Sequence, residues 1–115
     1  MKKTIMIKRR YEFKILFSKG KVFYGKNITV YILKNKYEFN RLGIAVGKKS
    51  GKAVERNKIK RLIRENYKIS EDYLKCGYNI LISVNKKCNI KETDFYDIKN
   101  DFEKTLKKSE IWTEK

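Results

Sequence analysis

The chain has 115 residues and a mass of 13.8 kDa, enough for one hydrophobic core and too few for two independent ones. Its 30 Lys plus Arg against 13 Asp plus Glu leave a net charge of +17, a surface that repels itself unless it meets an anion, which points to nucleic acid or an acidic membrane face and argues against a cationic ligand. Histidine is absent, which removes Ser-His-Asp, Cys-His and His-metal sites, while 13% aromatic residues argue against disorder.

Met1-Lys2-Lys3 is basic, but no long apolar segment with a cleavage site follows it, so no signal peptide is expected. No apolar run approaches the roughly 18 residues of a membrane helix, and the expected location is the cytoplasm. Arg9 to Ser18 places Phe13, Leu16 and Phe17 at helical spacing, with Lys19-Gly20 as the stop. Val22-Phe23-Tyr24 reads as a short strand broken by Gly25. Ile28, Val30 and Ile32 then alternate with Thr29, Tyr31 and Leu33 in a second strand with two usable faces. After a polar turn from Asn35 to Asn40, Leu42, Ile44 and Val46 alternate with Gly43, Ala45 and Gly47. One face of that third strand is bulky and the other nearly bare, so a helix or a ligand can come close to it.

Gly47 to Lys52 is a glycine-bounded basic loop. It resembles a phosphate loop only superficially, since three residues separate its glycines and Ala53, not Ser or Thr, follows Lys52. A second helix runs to about Lys68, with room to continue towards Leu74 before Gly77. Tyr78, Ile80, Ile82 and Val84 form the last strand, and Asn85 to Ile90 is loop. Phe95, Ile98, Phe102 and Leu106 mark a final helix with Thr93 or Asp94 as N-cap. Asp94, Asp97 and Asp101 recur along it beside lysines and are expected to decorate its surface. Cys76 and Cys88 lack companion ligands and read as reduced thiols, a disulfide being the alternative. The order is α-β-β-β-α-β-α, an α+β fold in one domain spanning residues 1–115, with helices packed on a mixed four-stranded sheet.

The second helix is the informative element. At about 100° per residue, Ile59, Leu62, Ile63, Asn66 and Tyr67 share one arc, and Arg56, Asn57, Lys60, Arg61, Arg64 and Lys68 fill another, with Lys58 and Glu65 beyond it. Three of the six arginines in a lysine-rich chain are Arg56, Arg61 and Arg64. A guanidinium fork grips phosphate bidentately and stacks on bases, so this concentration points to recognition geometry. The bland alternative is a solvated helix face, but only Glu55 and Glu65 are at hand to neutralise it. Aromatic platforms beside a cationic groove hold single-stranded RNA. Phe13, Phe17 and Tyr31 are the candidates, although core packing is the default for a helical Phe. No catalytic constellation is visible, and metal ligands cannot be assigned.

Lys52-Ala-Val-Glu-Arg-Asn-Lys-Ile-Lys-Arg-Leu-Ile-Arg64, preceded by Gly47-Lys-Lys, closely resembles the signature of the bacterial ribonuclease P protein subunit. The resemblance extends to Glu12-Phe13 through Phe17 and Gly20, the strand around Tyr31, and Arg41-Leu-Gly-Ile-Ala-Val46. It implies a basic cofactor of a catalytic RNA in a ribonucleoprotein that hydrolyses one phosphodiester bond to remove the 5′ leader of precursor tRNA. Mg2+ would be held mainly by the RNA subunit, and the isolated chain would be inactive and monomeric. It also implies a leader-binding cleft between the first helix and the sheet, using Phe13, Phe17 and Tyr31, with Asn57, Lys60 and Arg64 at its edge. Lys48, Lys49, Lys52, Arg56, Lys58 and Arg61 would serve RNA-subunit phosphates. A left-handed strand–helix–strand crossover around the second helix is implied by the resemblance alone, since handedness rules favour the opposite. The family's Arg-Asn-Arg core reads Arg56-Asn57-Lys58 here, with an ammonium point charge in place of one fork. The competing reading is a ribosomal or other structural RNA-binding protein without a processing role.

Overall fold

The computed structural model describes residues 4–113; the basic Met1-Lys2-Lys3 start lies outside them. In chain order the elements are β1 (Thr4–Met6), α1 (Arg10–Lys19), β2 (Lys21–Tyr24), β3 (Ile28–Lys34), β4 (Asn40–Ala45), α2 (Ala53–Ser70), β5 (Tyr78–Val84) and α3 (Phe95–Lys107). Single 3-10 turns at Lys48–Ser50 and Glu71–Tyr73 flank α2. The sheet is therefore five-stranded, in the order β1-β4-β5-β3-β2, one strand more than the alternation predicts. The extra strand, β1, runs parallel to β4, with Thr4 opposite Asn40 and Met6 opposite Leu42. Three residues carry no periodicity, and pairing with a segment some 36 positions away orders them, so nothing local announces them.

β3 pairs antiparallel with β2 and β5, and β4 pairs parallel with β5 through the α2 crossover. Strand alternation divides the core in two. On one face Ile28, Val30, Ile32, Leu42, Ile80 and Ile82 meet Ile59, Ile63 and Tyr67 of α2 and Ile98, Phe102 and Leu106 of α3. On the other, Leu81 packs with Ile7 and Leu16 under α1, flanked by Phe13, Tyr31, Leu33 and Ala45. The sheet is thus sandwiched between one lightly buried helix and two deeply buried ones.

One cap and two tethers fix the helices. Asp94 caps α3 reciprocally with Asp97, the two carboxylates accepting each other's backbone N–H at 2.9 and 3.0 Å. Asp101 is not surface decoration, contrary to its sequence pattern. It is buried and accepts the backbone N–H groups of Asn27 and Ile28 at 2.5 and 3.1 Å, clipping the β2–β3 turn to α3. At the other end of the sheet, the Tyr67 hydroxyl shares a hydrogen bond of 3.0 Å with Thr4 Oγ1, and Thr4 also donates to Glu71. Burial pushes the Tyr67 phenol up to about 12 despite that bond. Both cysteines are free thiols, Cys76 exposed and Cys88 half-buried.

Candidate nucleic-acid interface

The bare face of β4 becomes the organising feature of the site. Arg41, Gly43 and Ala45 alternate along the strand and face α1. A Cβ at Gly43 would lie 2.8 Å from Cε1 of Phe13, so the missing side chain is what lets α1 settle there. Two residues on, Ala45 is only half-buried and borders open space. β1 accompanies β4 only over Asn40–Leu42, and beyond that point this side of β4 has no strand beside it among the described residues. A cleft of about 520 Å3 opens here at the C-terminal ends of β4 and β5, lined by Phe17 from α1, Ile44, Ala45, Val46 and Gly47, Ser50, Lys60 from α2, Ser83, Val84 and Lys86.

The aromatic residues divide as burial dictates. Phe17 is 44% exposed, so it is no core residue, and its ring meets Tyr31 edge-on with centroids 4.9 Å apart. Tyr31 is half-buried on the β3 face opposite Val30 and Ile32, as the alternation predicts. Phe13 is half-buried and occupied with Gly43, nearer to packing than to presentation. An edge-to-face pair covers one face of one ring only, and the exposure of Phe17 leaves ring surface open to a planar base.

α2 supplies the charge. Its register, set by the burial of Ile59, Leu62, Ile63, Asn66 and Tyr67, places Asn57, Lys60 and Arg64 on one flank and Lys58 and Arg61 on the other. Lys60 is half-buried where it lines the cleft, while Asn57 and Arg64 are exposed beside it. Arg61 is loosely paired with Glu65 at 3.6 Å, both side chains largely exposed, a contact of little net strength in water. Arg56 donates from its guanidinium to the Lys48 carbonyl at 2.9 Å, bracing the basic loop. That loop forms a 3-10 turn with Lys48 and Lys49 exposed, and Lys52 is exposed at the α2 N-cap. Lys52 N–H donates to Glu55 Oε1 at 2.9 Å, so the first-turn carboxylate serves the helix start, as its position predicts.

Sequence reasoning overlooked Lys86, which follows β5 and brings a second cation to the cleft. Asn85-Lys86-Lys87 was legible only as a polar loop, because nothing local says that β5 ends beside β4. A second concavity of about 420 Å3, including Ile69, Tyr73, Lys99 and Trp112, lies between the C-terminal halves of α2 and α3, and none of the predicted site residues reaches it. Among the described residues, no group of three or more His, Cys, Asp or Glu side chains is placed to hold a metal ion, and no helix is long and apolar enough to cross a membrane.

The family model for ribonuclease P matches residues 1–110. The ribonuclease P protein component of Clostridium botulinum (strain 657 / Type Ba4) is 39% identical over 107 residues, covering 92% of this chain and 95% of that protein. That of Thermoanaerobacter sp. (strain X514) is 35% identical over 111 residues, covering 96% and 94%. Among solved structures, the RNase P protein of Staphylococcus aureus superposes with a TM-score of 0.82 at 34% identity, covering 94% of this chain and 97% of that one. The RNase P protein of Thermotoga maritima gives 0.81 at 31%, covering 91% and 97%.

Proposed function

The chain belongs to the ribonuclease P protein family, and from that membership we propose that it is the protein cofactor of a ribonucleoprotein that removes the 5′ leader from precursor tRNA. The observation that carries the reading furthest is the cleft in which an exposed aromatic ring, Phe17, and a cation, Lys60, line one small-residue floor. A single-stranded leader threads it with bases against Phe17 and Tyr31 and phosphates towards Lys60 and Arg64, Asn57 offering an amide at the edge. Phe13, packed on Gly43 and not itself lining the cleft, contributes by seating α1 beside it. The opposite flank, Lys58 and Arg61, together with Lys48, Lys49, Lys52 and the loop braced by Arg56, faces the phosphates of the RNA subunit. Lys58 acts there as a point charge, not as a bidentate fork.

In this reading the protein recognises and orients, and the catalytic Mg2+ ions belong mainly to the RNA subunit. The chain is monomeric outside the holoenzyme. The test is a leader-cleavage assay with RNA subunit, protein, and both. The RNA alone is expected to cleave slowly at high Mg2+, the protein alone not at all, and the pair at lower Mg2+. Specific leader removal by rigorously RNA-free protein would overturn the division of labour, and protein that leaves the RNA's Mg2+ requirement unchanged would favour a purely structural RNA-binding role.

A further inference from the structure

α1 is weakly held for an element that forms a binding wall. It buries only Leu16 fully and has no side-chain cap at its N-terminus, whereas α2 buries six residues. Its orientation therefore rests on few contacts, and one is ionic. The Glu12 carboxylate takes a bidentate pair of hydrogen bonds from Arg41, one at 3.0 Å and one shorter, with the side chains only 13% and 20% exposed. Arg41 is itself backed by the β3–β4 turn. Its guanidinium lies 5.9 Å from the centroid of Tyr37, which stacks on Phe39 at 4.9 Å.

The spacing links this pair to the cleft. Along the α1-facing side of β4, Arg41 takes Glu12, Gly43 takes Phe13, and Ala45 forms the cleft floor. Along α1, Phe17 stands one turn beyond Phe13. A rigid helix held at Glu12 and Phe13 carries Phe17 to a defined place against Tyr31; released at Glu12, it pivots on Leu16 and Phe13. We propose that Glu12 and Arg41 are positioning residues that set the width of the leader cleft without touching the leader. The proposal rests on the leader reading given above.

The experiment uses the reconstituted holoenzyme with Glu12→Gln, Arg41→Lys, the double charge exchange Glu12→Arg/Arg41→Glu, and Phe17→Ala. Affinities for precursor tRNA, mature tRNA and the RNA subunit are measured, together with ring–ring NOEs between Phe17 and Tyr31 in the free protein. Glu12→Gln is expected to lower precursor affinity by about tenfold, the scale of weakening one base–aromatic stack, with mature-tRNA and RNA-subunit affinities little changed and the NOEs weakened. The milder Arg41→Lys should give a smaller loss, and the charge exchange should restore much of it. Unchanged NOEs and precursor preference in Glu12→Gln sink the proposal, as does equal loss of mature-tRNA binding, which marks general destabilisation. If Phe17→Ala erodes the preference while Glu12→Gln is silent, only the positioning role falls; if Phe17→Ala is silent too, the leader reading falls with it.

Discussion

Phe17 shows how one side chain's environment separates packing from recognition. A core Phe truncated to Ala costs about 3–5 kcal/mol, but at 44% exposure Phe17 has much less burial to lose. Phe17→Ala is therefore expected to lower stability by about 1–2 kcal/mol at most while removing base stacking worth roughly 1–3 kcal/mol per base. Thermal melting and holoenzyme affinity for precursor against mature tRNA check both halves on the same protein. Tyr31→Ala should erode the same preference at a larger cost in stability, since Tyr31 is half-buried against the α1-side core, and Tyr31→Phe should retain most of the preference if the ring, not the hydroxyl, does the stacking. A large drop in melting temperature with the precursor preference intact would return these rings to the core.

At the scale of elements, single polar side chains decide how helices attach. Asp101 accepts two backbone N–H groups at the β2–β3 turn, that of Ile28 fully buried. Asp101→Ala removes the acceptor of a buried and a part-buried N–H, at an expected cost of roughly 2–4 kcal/mol; Asp101→Asn, whose amide oxygen still accepts, should cost less. Denaturant titration of the three proteins checks the order. Tyr67 makes the corresponding tie between α2 and β1. Its phenol is pushed up to about 12 in the folded chain against an ordinary value near 10. The unfolded chain therefore releases this proton first as pH rises. The stability involved is fully present below pH ~10 and is lost towards ~12, in all about 2–3 kcal/mol. Tyr67→Phe should be less stable at neutral pH through loss of the Thr4 bond, yet show a shallower alkaline decline in pH-resolved melting curves.

Over the whole molecule, the net charge of +17 acts at long range and α2 acts at contact. Binding to the RNA subunit is expected to weaken steeply with salt, because each neutralised phosphate releases counterions. Arg61 pairs only loosely with Glu65, so its guanidinium is available to a phosphate. Arg61→Ala should lower affinity and reduce the slope of log K against log salt by about one. Titrations across a salt series check this, and an unchanged slope would remove Arg61 from the interface.

The amino-acid sequence by itself determined the elements whose pattern is local. α2 and its cationic arc, the alternation of β3, the stripe of α3 and the stop at Gly20 all follow from periodicities that each segment carries within itself. The two-sided character of β4, bulky against bare, was legible in the same way, and so was the family, through an ordered motif in the basic helix. Tertiary structure alone decided what no single segment contains. It added β1, which exists through its pairing with β4, and buried Asp101 against a turn more than 70 positions away. It also assigned Gly43 to a helix and Ala45 to a cleft, and brought Lys86 beside Lys60. The physical reason is that periodicity reports which face of an element is apolar, whereas a binding site is made where several elements end together. Those meetings are set by long-range pairing, and they become visible only once the chain has closed on itself.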